Sequence, residues 1–455
     1  MYYIKTKKQL VIWLQPLGLL NVIASDNLVF DHENDGPCMQ DALRMKFLHT
    51  ADLHLGKVFH DQSLAEEQTA MLEDIAGFLE DESYAALIIA GDVYDRSIPS
   101  PEAVELFGTF LEKVKNLRHS PEVLVIPGNH DSASRMGFGR DLFARLGIHF
   151  AVSAEECDKP IIIEKDGVSC AFFMLPFLNP AALSVTDTDN DETVLLRSQS
   201  SLAEEAARRI NRSLEKARHD LSAKSSVNHF VLAAHLFAHG SKSAESERIF
   251  IGSAENVNIG IFKNFDYVAL GHLHHCQSAG ENAWYSGSPL AYSFGEAGKE
   301  KFVLSVELKK TGSDNGAISE ASTEAVIERK LIKPRRRVTS FTGPFARFSA
   351  DTSNDEELLA AADDYLEIRL TDRGITENAR DTLRKRFPHL LSLRQDEALA
   401  SFSSTAAATA APVERQDIKA DFKKFLESLY DKAEPEEIEL FNSLLKEAEA
   451  EESAS

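Results

Sequence analysis

Five short apolar segments of this chain each run into polar residues that can bind a metal. The segments are 46–50, 87–91, 123–128, 230–234 and 267–271. Apolar runs of this length predict buried strands. The polar residues that close or follow them are Asp52, His54, Asp92, Asn129, His130, His235, His272 and His274. Because ligands collect at the carboxyl ends of strands in open α/β sheets, we expect these side chains to meet in one place.

Two other regions show the periodicity of helices. In residues 195–219 the apolar positions that share one helical face are Leu195, Leu202, Ala206, Ile210 and Leu214. Towards the C-terminal end, apolar residues recur at intervals of three and four on both sides of Pro435, and proline suits the first turn of a new helix. A hairpin of two C-terminal helices is therefore expected.

Composition and pattern divide the chain into six segments. Residues 1–44 imitate a signal peptide, but Gln15 and Pro16 interrupt the apolar stretch and Met45 stands directly before the first strand. We interpret residues 1–44 as a non-native N-terminal extension. The others are a main domain at 45–310, a connecting segment at 311–337, a small α+β domain at 338–398, a flexible linker at 399–415 and C-terminal helices at 416–452.

Composition limits the setting of the protein. The four cysteines among 455 residues show no metal or disulfide spacing, which favours a reducing cytosol. No stretch approaches the roughly 20 apolar residues of a membrane span. The formal net charge of −23 is unusual for a DNA-binding protein. The dense basic cluster at 333–337 is interpreted either as a solvated linker or as a contact to phosphate.

The polar residues also indicate a reaction. Two Asp, one Asn and four His exceed the ligands of one divalent ion and suit two, with Asp92 as the bridging carboxylate. Two metals roughly 3.5–4 Å apart clamp the attacking and leaving oxygens of an in-line displacement and activate a water. Mixed imidazole, carboxylate and amide ligation suits first-row ions better than magnesium. We therefore predict hydrolysis at phosphorus with two divalent ions, and manganese as the metal.

The order of the motifs resembles that of the calcineurin-like metallophosphoesterases. Segments 49–56, 91–95, 240–243 and 285–289 resemble those of SbcD, the nuclease subunit of the bacterial SbcCD complex. The resemblance is close from about residue 45 to about residue 301 and looser beyond. It implies an α/β fold: a two-sheet metallophosphoesterase sandwich flanked by helices, with a small α+β capping domain and a C-terminal helical hairpin.

The resemblance also implies a role for each site residue. One metal would be held by Asp52, His54, Asp92 and His274, and the other by Asp92, Asn129, His235 and His272. His130 would bind no metal and act on the substrate as an acid. Asp131, which follows directly, would keep the imidazole of His130 charged.

The SbcD resemblance carries a biological expectation. It implies a cytoplasmic 3′–5′ exonuclease on double-stranded DNA and an endonuclease on hairpins and blocked ends, in DNA repair and recombination. The partner would be an SbcC-like ATPase, with a coiled coil on which the C-terminal hairpin docks, in a heterotetramer around a homodimer of this chain. The alternative is a stand-alone metallophosphatase for phosphomonoesters or small phosphodiesters, because 91–96 nearly matches a phosphoprotein phosphatase motif. A scaffold without catalysis is disfavoured because all seven ligands are present.

Overall fold

The computed structural model describes residues 43–187, 192–219, 227–238, 241, 256–311, 322–349, 355–372, 378–395, 438 and 440–442. The strands within them are β1 (Arg44–Thr50), β2 (Val58–Phe59), β3 (Gln62–Ser63), β4 (Ala86–Ala90), β5 (Glu122–Ile126), β6 (Ile148–Phe150), β7 (Ile161–Lys165), β8 (Val168–Leu175), β9 (Ser184–Asp187), β10 (Glu192–Leu195), β11 (His229–His235), β12 (Tyr267–Gly271), β13 (Gln277–Ser278), β14 (Ala283–Tyr285), β15 (Lys301–Thr311), β16 (Ser322–Ile332), β17 (Val338–Gly343), β18 (Tyr365–Leu370) and β19 (Leu390–Gln395).

Helices of very different length connect these strands. They are α1 (Ala65–Asp81), α2 (Pro101–Lys115), α3 (Ala133–Met136), α4 (Arg140–Ala144), α5 (Gln199–His219), α6 (Phe345–Ser349), α7 (Glu356–Ala360) and α8 (Ala379–Arg384). Single 3₁₀ turns lie at Ala154–Glu156, Ile259–Phe262 and Phe294–Glu296. None of the described helices combines the length and the apolarity needed to cross a membrane.

The first large sheet has the strand order β16-β15-β1-β4-β5-β6. Its strands β1, β4, β5 and β6 run parallel, so their carboxyl ends lie along one edge of the sheet. Strand β4 is buried along its whole length because apolar groups cover both of its faces. Three of the five predicted strands, at 46–50, 87–91 and 123–128, are thereby confirmed.

The second large sheet has the order β13-β14-β12-β11-β8-β7, with β8, β11, β12 and β14 parallel. It contains the other two predicted strands, at 230–234 and 267–271. One core lies between the two sheets, where the Phe47 ring meets the Phe172 ring edge-on at 5.7 Å between centroids. The predicted two-sheet α/β sandwich is confirmed.

Helix α5 covers the outer face of the second sheet. Its residues Leu202, Ala206 and Ile210 are fully buried among side chains of that sheet, as the helical pattern predicts. The predicted start was wrong, because Leu195 belongs to strand β10 and is exposed. A run of apolar residues before a helix does not show where the helical dihedrals begin, and the structure starts α5 at Gln199.

The segment at 311–337 is not only a connection. Strand β16 pairs antiparallel with β15 over eleven residue pairs, from Lys301 with Ile332 to Thr311 with Ser322. The first compact unit therefore extends to Lys333. Residues 312–321, between these two strands, lie outside the described residues.

A second compact unit contains the predicted α+β domain together with 58–63 and 291–299. Strands β17, β18 and β19 form a parallel sheet, and helices α6, α7 and α8 supply side chains to its core. Strand β18 lies in the middle of this sheet and pairs in parallel with β17 on one side and with β19 on the other. Residues 1–42, the linker at 399–415 and most of 416–452 lie outside the described residues, and so does the expected C-terminal hairpin.

Candidate metal centre

The loops that leave β1 and β4 are joined by backbone hydrogen bonds. The amide of Asp52 donates to the carbonyl oxygen of Gly91 at 2.9 Å, and the amide of His54 donates to the carbonyl oxygen of Asp92 at 3.0 Å. The amide of Leu55 continues the pairing with Val93. Because each loop supplies the partners of the other, the positions of Asp52, His54 and Asp92 are set together.

Backbone strain is concentrated at this site. Four of the predicted metal ligands have left-handed φ angles although none is glycine: Asp52 at 54°, His54 at 44°, Asp92 at 48° and His272 at 107°. Such conformations cost about 1–3 kcal/mol each and persist only where the surrounding structure enforces them. Here the strain turns the side chain of each residue into the common site.

Two glycines allow the loops to approach closely. A Cβ atom on Gly91 would lie 2.1 Å from Nδ1 of His235, and one on Gly128 would lie 2.1 Å from Oδ1 of Asp92. Gly91 also has a φ of +93°, which side-chain-bearing residues rarely adopt. The glycine in each motif is thus a steric requirement of the site.

Asp92 lies at the centre of the cluster. Its Oδ2 atom is 3.5 Å from Nε2 of His235 and 3.8 Å from Nε2 of His54. Within the described part of the chain, two clusters are close enough to hold an ion: His54, Asp92 and His130 in one case, and Asp52, Asp92 and His235 in the other. Asp92 belongs to both, as a bridging carboxylate would.

The remaining predicted ligands join the same cluster. Oδ1 of Asn129 lies 3.1 Å from Nε2 of His235 and 3.0 Å from Nδ1 of His272. Nε2 of His274 lies 3.1 Å from Nε2 of His54. The structure therefore brings together all seven predicted ligands, from both sheets.

The protonation of the cluster suits a metal. Burial lowers the pKa of His54, of His235 and, to about 3, of His272, so these imidazoles are neutral near pH 7. Burial opposes the charge on Asp92, but the nearby His235 and His54 outweigh it and hold the Asp92 pKa at about 2. Neutral imidazoles around a carboxylate are the forms that ligate divalent ions. These imidazole and carboxylate donors therefore suit a divalent metal ion.

His130 is held by the backbone. Its amide donates to Oδ1 of Asp92 at 2.9 Å, and its Nδ1 lies 2.9 Å from the carbonyl oxygen of Asp95. A carbonyl oxygen only accepts, so Nδ1 carries the proton in this contact and Nε2 is left to exchange one. The ring stands edge-on to that of His54, with 4.9 Å between centroids.

Asp131 connects two loops of the site. Its two carboxylate oxygens accept hydrogen bonds from the backbone amides of Val93, Tyr94 and Gly128 at 2.9–3.0 Å. Burial and the charge of Asp92 raise the pKa of Asp131 to about 7. Asp131 joins the loops after β4 and β5, while His130 is oriented by the Asp95 carbonyl. The expected effect of Asp131 on the charge of His130 stays a prediction.

Two residues that shape the site are not among those predicted from the sequence. Gln68 of α1 is buried, donates to the carbonyl oxygen of His54 at 2.6 Å and accepts from the amide of Gly56 at 2.9 Å. Asp95 lies with Oδ1 3.7 Å from Nδ1 of His54 and 2.7 Å from Nζ of Lys57. A buried polar residue in an amphipathic helix was the available signal for Gln68.

Two further polar features near these motifs and in the basic cluster have structural partners. His49 is buried in β1, with Nδ1 3.0 Å from the hydroxyl oxygen of Tyr267. In the basic cluster, Arg337 pairs with Asp364 at 2.9 Å and Arg336 lies 3.6 Å from Asp363. These two arginines are thus engaged in ion pairs of the second unit.

Comparisons with known proteins agree with this geometry. A family model described as calcineurin-like phosphoesterase matches residues 45–276, just over half of the chain. A second model, for the SbcD C-terminal domain and described as the type 5 capsule protein repressor C-terminal domain, matches residues 334–446.

Solved structures that are similar to the chain include two from different organisms. One is TT1561 of Thermus thermophilus, at 12% identity and a TM-score of 0.32, covering 57% of this chain and 93% of that one. The other is GAP50, the anchor in the inner membrane complex of Plasmodium, at 10% identity and a TM-score of 0.30, covering 64% and 90%. These values are too low to support a functional comparison, so the assignment depends on the family models. The chain belongs to the calcineurin-like phosphoesterase family, and its SbcD-type C-terminal domain identifies it as an SbcD-like metal-dependent nuclease.

Proposed function

We propose that this chain is the nuclease subunit of an SbcCD-type complex that cleaves double-stranded DNA ends and hairpins in the cytoplasm, with 3′–5′ exonuclease and endonuclease activity, in repair and recombination. The observation that carries the proposal is Asp92, shared by two clusters of metal-binding side chains, one with His54 and His130 and the other with Asp52 and His235. This arrangement is suited to a dinuclear centre for phosphodiester hydrolysis.

The proposed ligand sets follow the resemblance. One ion takes Asp52, His54, Asp92 and His274, and the other takes Asp92, Asn129, His235 and His272. Support comes from the short contacts among these side chains and from the low pKa values of the buried imidazoles. We propose manganese, since imidazole, carboxylate and amide ligands together favour first-row ions. The bound ions supply an activated water and stabilise charge on the phosphoryl oxygens.

The chain's own part in the reaction falls to His130. Its Nδ1 proton is held by the carbonyl oxygen of Asp95, so the charged ring has a second proton at Nε2. Transfer of that proton to the leaving alkoxide would accelerate cleavage by about 10²–10⁴-fold. Asp95 holds the ring in the orientation that this transfer needs.

A manganese-dependent assay of the pure protein tests the function. Duplex DNA, hairpin DNA and a phosphomonoester are compared side by side at equal metal concentration. The proposal expects both DNA substrates to be cleaved at least tenfold faster than the monoester. Faster cleavage of the monoester would instead identify a metallophosphatase.

An SbcC-like ATPase is the proposed partner of the C-terminal segment. The family model for the SbcD C-terminal domain extends to residue 446 and so includes most of the predicted hairpin at 416–452. The apolar stripes of that segment suit a groove on a coiled coil. Truncation after Pro412 should preserve cleavage of short DNA and abolish co-purification with the ATPase. Tight binding by the truncated chain would place the docking site elsewhere.

We also propose that two copies of the chain form a dimer through an apolar surface beside α2 and α4. Large apolar side chains are exposed there, among them Phe138 at 85% and Leu142 at 67%, next to Ile98 and Leu146. A groove of about 860 Å³ lined by Phe107, Phe143 and Phe150 lies on the same surface. A patch that carries both protruding side chains and a groove can pair with itself about a twofold axis.

A further inference from the structure

Lys57 lies in the loop that follows His54, beside the candidate metal centre. Its Nζ atom is 2.7 Å from Oδ1 of Asp95, and that oxygen is 3.7 Å from Nδ1 of His54. The side chain keeps 26% of its surface exposed. The ammonium group is therefore separated from a proposed metal ligand by one carboxylate, and solvent can still reach it.

The backbone of Lys57 is anchored on both sides. Its amide donates to the carbonyl oxygen of His54 at 3.1 Å, and its own carbonyl oxygen accepts from Leu64 at 3.1 Å. Asp95 holds the other end of the side chain. An ammonium group with three donors that gives one to Asp95 has further donors for an anion. The amine is thus placed in advance, which lowers the entropy lost on binding.

The local charge favours an anionic ligand. Arg96 adds a second cation, with Nε 3.8 Å from Oδ2 of Asp95, so two cations flank one carboxylate. This local excess of positive charge occurs in a chain with a formal net charge of −23. The net negative charge of the chain repels a phosphate backbone. A positive group next to the reaction centre therefore has a large effect on where the DNA strand binds.

We propose that Lys57 binds a backbone phosphate adjacent to the one being cleaved, while Asp95 keeps the ammonium group in position. The inference rests on the proposed nuclease function. The ammonium group contacts Asp95, which is not one of the predicted metal ligands, and this favours a flanking phosphate over the scissile phosphate at the metals. Lys57 is then a binding residue for the DNA strand and takes no part in the proton transfer.

A structural role would predict different behaviour. If Lys57 only neutralised Asp95, its loss would disturb His54 and His130 and would lower the rate on every substrate. Removing both charges, as in Lys57→Met with Asp95→Asn, would then restore activity. If Lys57 binds phosphate, the double variant stays as deficient on DNA as the Lys57→Met variant. The coupling energy between the two substitutions therefore distinguishes the two roles.

The experiment compares Lys57→Met with Lys309→Met in the full-length chain with manganese. Lys309 is a matched control: it pairs with Glu307 at 3.0 Å, has 31% of its side chain exposed and lies opposite Arg44, at the end of β1 away from Asp52. The substrates are a short DNA duplex and bis(4-nitrophenyl) phosphate, which has a single phosphate.

For Lys57→Met we expect kcat/KM on DNA to fall at least tenfold, mainly through KM, and a smaller loss on the single-phosphate diester. The slope of log kcat/KM against log salt should become less steep by about 0.7–0.9, the value of one phosphate contact. Lys57→Arg should recover most of the loss, and Lys309→Met should match the wild type. Metal content per chain should be unchanged in all variants.

Each other outcome overturns the inference. Equal losses on both substrates, or recovery in the double variant, would assign Lys57 a structural role only. If the wild type cleaves DNA and Lys57→Met behaves like Lys309→Met, Lys57 does not bind phosphate. The proposed nuclease function would still stand. A wild type that cleaves the small diester but not DNA would refute the proposed function itself and the inference with it.

Discussion

At the scale of single residues, adjacent positions in one motif have different roles. The Asp131 carboxylate accepts from three backbone amides, whereas the contact of His130 Nδ1 with the carbonyl oxygen of Asp95 leaves Nε2 to exchange a proton. His130 is also close enough to His54 and Asp92 to be a metal ligand. Its role as an acid or as a ligand is decided by whether its removal costs an ion.

We predict that His130→Ala keeps two metals per chain and loses about 10²–10⁴-fold in DNA cleavage, whereas Asp92→Ala loses metal as well as activity. Inductively coupled plasma mass spectrometry of the dialysed proteins measures the ions. His149→Ala is the control, since His149 pairs with Glu122 and is not one of the predicted site residues. A His130→Ala protein with only one ion would make His130 a ligand.

The buried His49 predicts a pH dependence of stability. Burial lowers the pKa of His49 to about 3, against 6.5 for an exposed imidazole. Between these values the unfolded chain binds a proton that the folded chain does not, so stability falls as the pH is lowered below 6.5.

In the metal-free protein, His49→Asn should therefore make the loss of stability less steep below pH 6.5, by about 1.4 kcal/mol per pH unit. Asparagine keeps a polar atom near the Tyr267 hydroxyl. Urea unfolding at a series of pH values between 7.5 and 5 measures the slopes. Parallel curves for the two proteins would show that His49 titrates equally in the folded and unfolded states.

At the scale of elements, the turn after β4 determines whether the two sheets meet correctly. The Cβ position of Gly91 in the first sheet is occupied by the His235 ring from the end of β11 in the second sheet. The ring is also fixed by its contact from Nδ1 to the carbonyl oxygen of Ala90 at 2.8 Å. The sheets are thus joined through the site itself.

Gly91→Ala should displace His235, lower the metal content and destabilise the protein by more than about 1 kcal/mol. Gly77→Ala is the matched control, because a Cβ on Gly77, within α1, meets nothing within 4 Å. That variant should gain about 0.5–1 kcal/mol from its higher helix propensity. Thermal and urea unfolding, with metal analysis, compare the two. Full metal content in Gly91→Ala would contradict the steric argument.

At the scale of the whole molecule, the apolar surface beside α2 and α4 is the feature that calls for a partner. The N-terminus of helix α2 is capped by Ser100, whose hydroxyl accepts a hydrogen bond from the amide of Ala103. Pro101 lies in the first turn. Phe107 and Phe110 are buried, whereas Val104 is half exposed beside the groove. This surface is therefore built on a regular element, as a specific interface requires.

We predict that the wild type is a dimer at micromolar concentration and that Leu142→Glu makes it a monomer, because a buried charge without a partner opposes association. Size-exclusion chromatography with light scattering measures the mass. Leu195→Glu, at an exposed leucine away from this surface, should stay dimeric. A monomeric wild type, or a dimeric Leu142→Glu with full metal content, would contradict the proposed interface.

Five strands and the set of predicted metal ligands could be identified from the sequence itself. Apolar runs of five or six residues and the polar residues after them are local properties, so β1, β4, β5, β11 and β12 could be recognised without any knowledge of contacts. The donor types of those polar residues then indicated the chemistry, because ligand preferences of metal ions depend on atom type.

Only the tertiary structure decided how these residues are held. Gln68 donates a hydrogen bond to the His54 carbonyl oxygen, 14 positions before it in the sequence. Asp131 accepts from the amide of Val93, 38 positions before it. The contact between the two sheets, from His235 to Ala90, spans more than a hundred positions. Such partners depend on loop geometry and on left-handed backbone angles that no local pattern encodes. Residue identity therefore sets which chemistry is available, and packing between distant segments sets which side chain performs it.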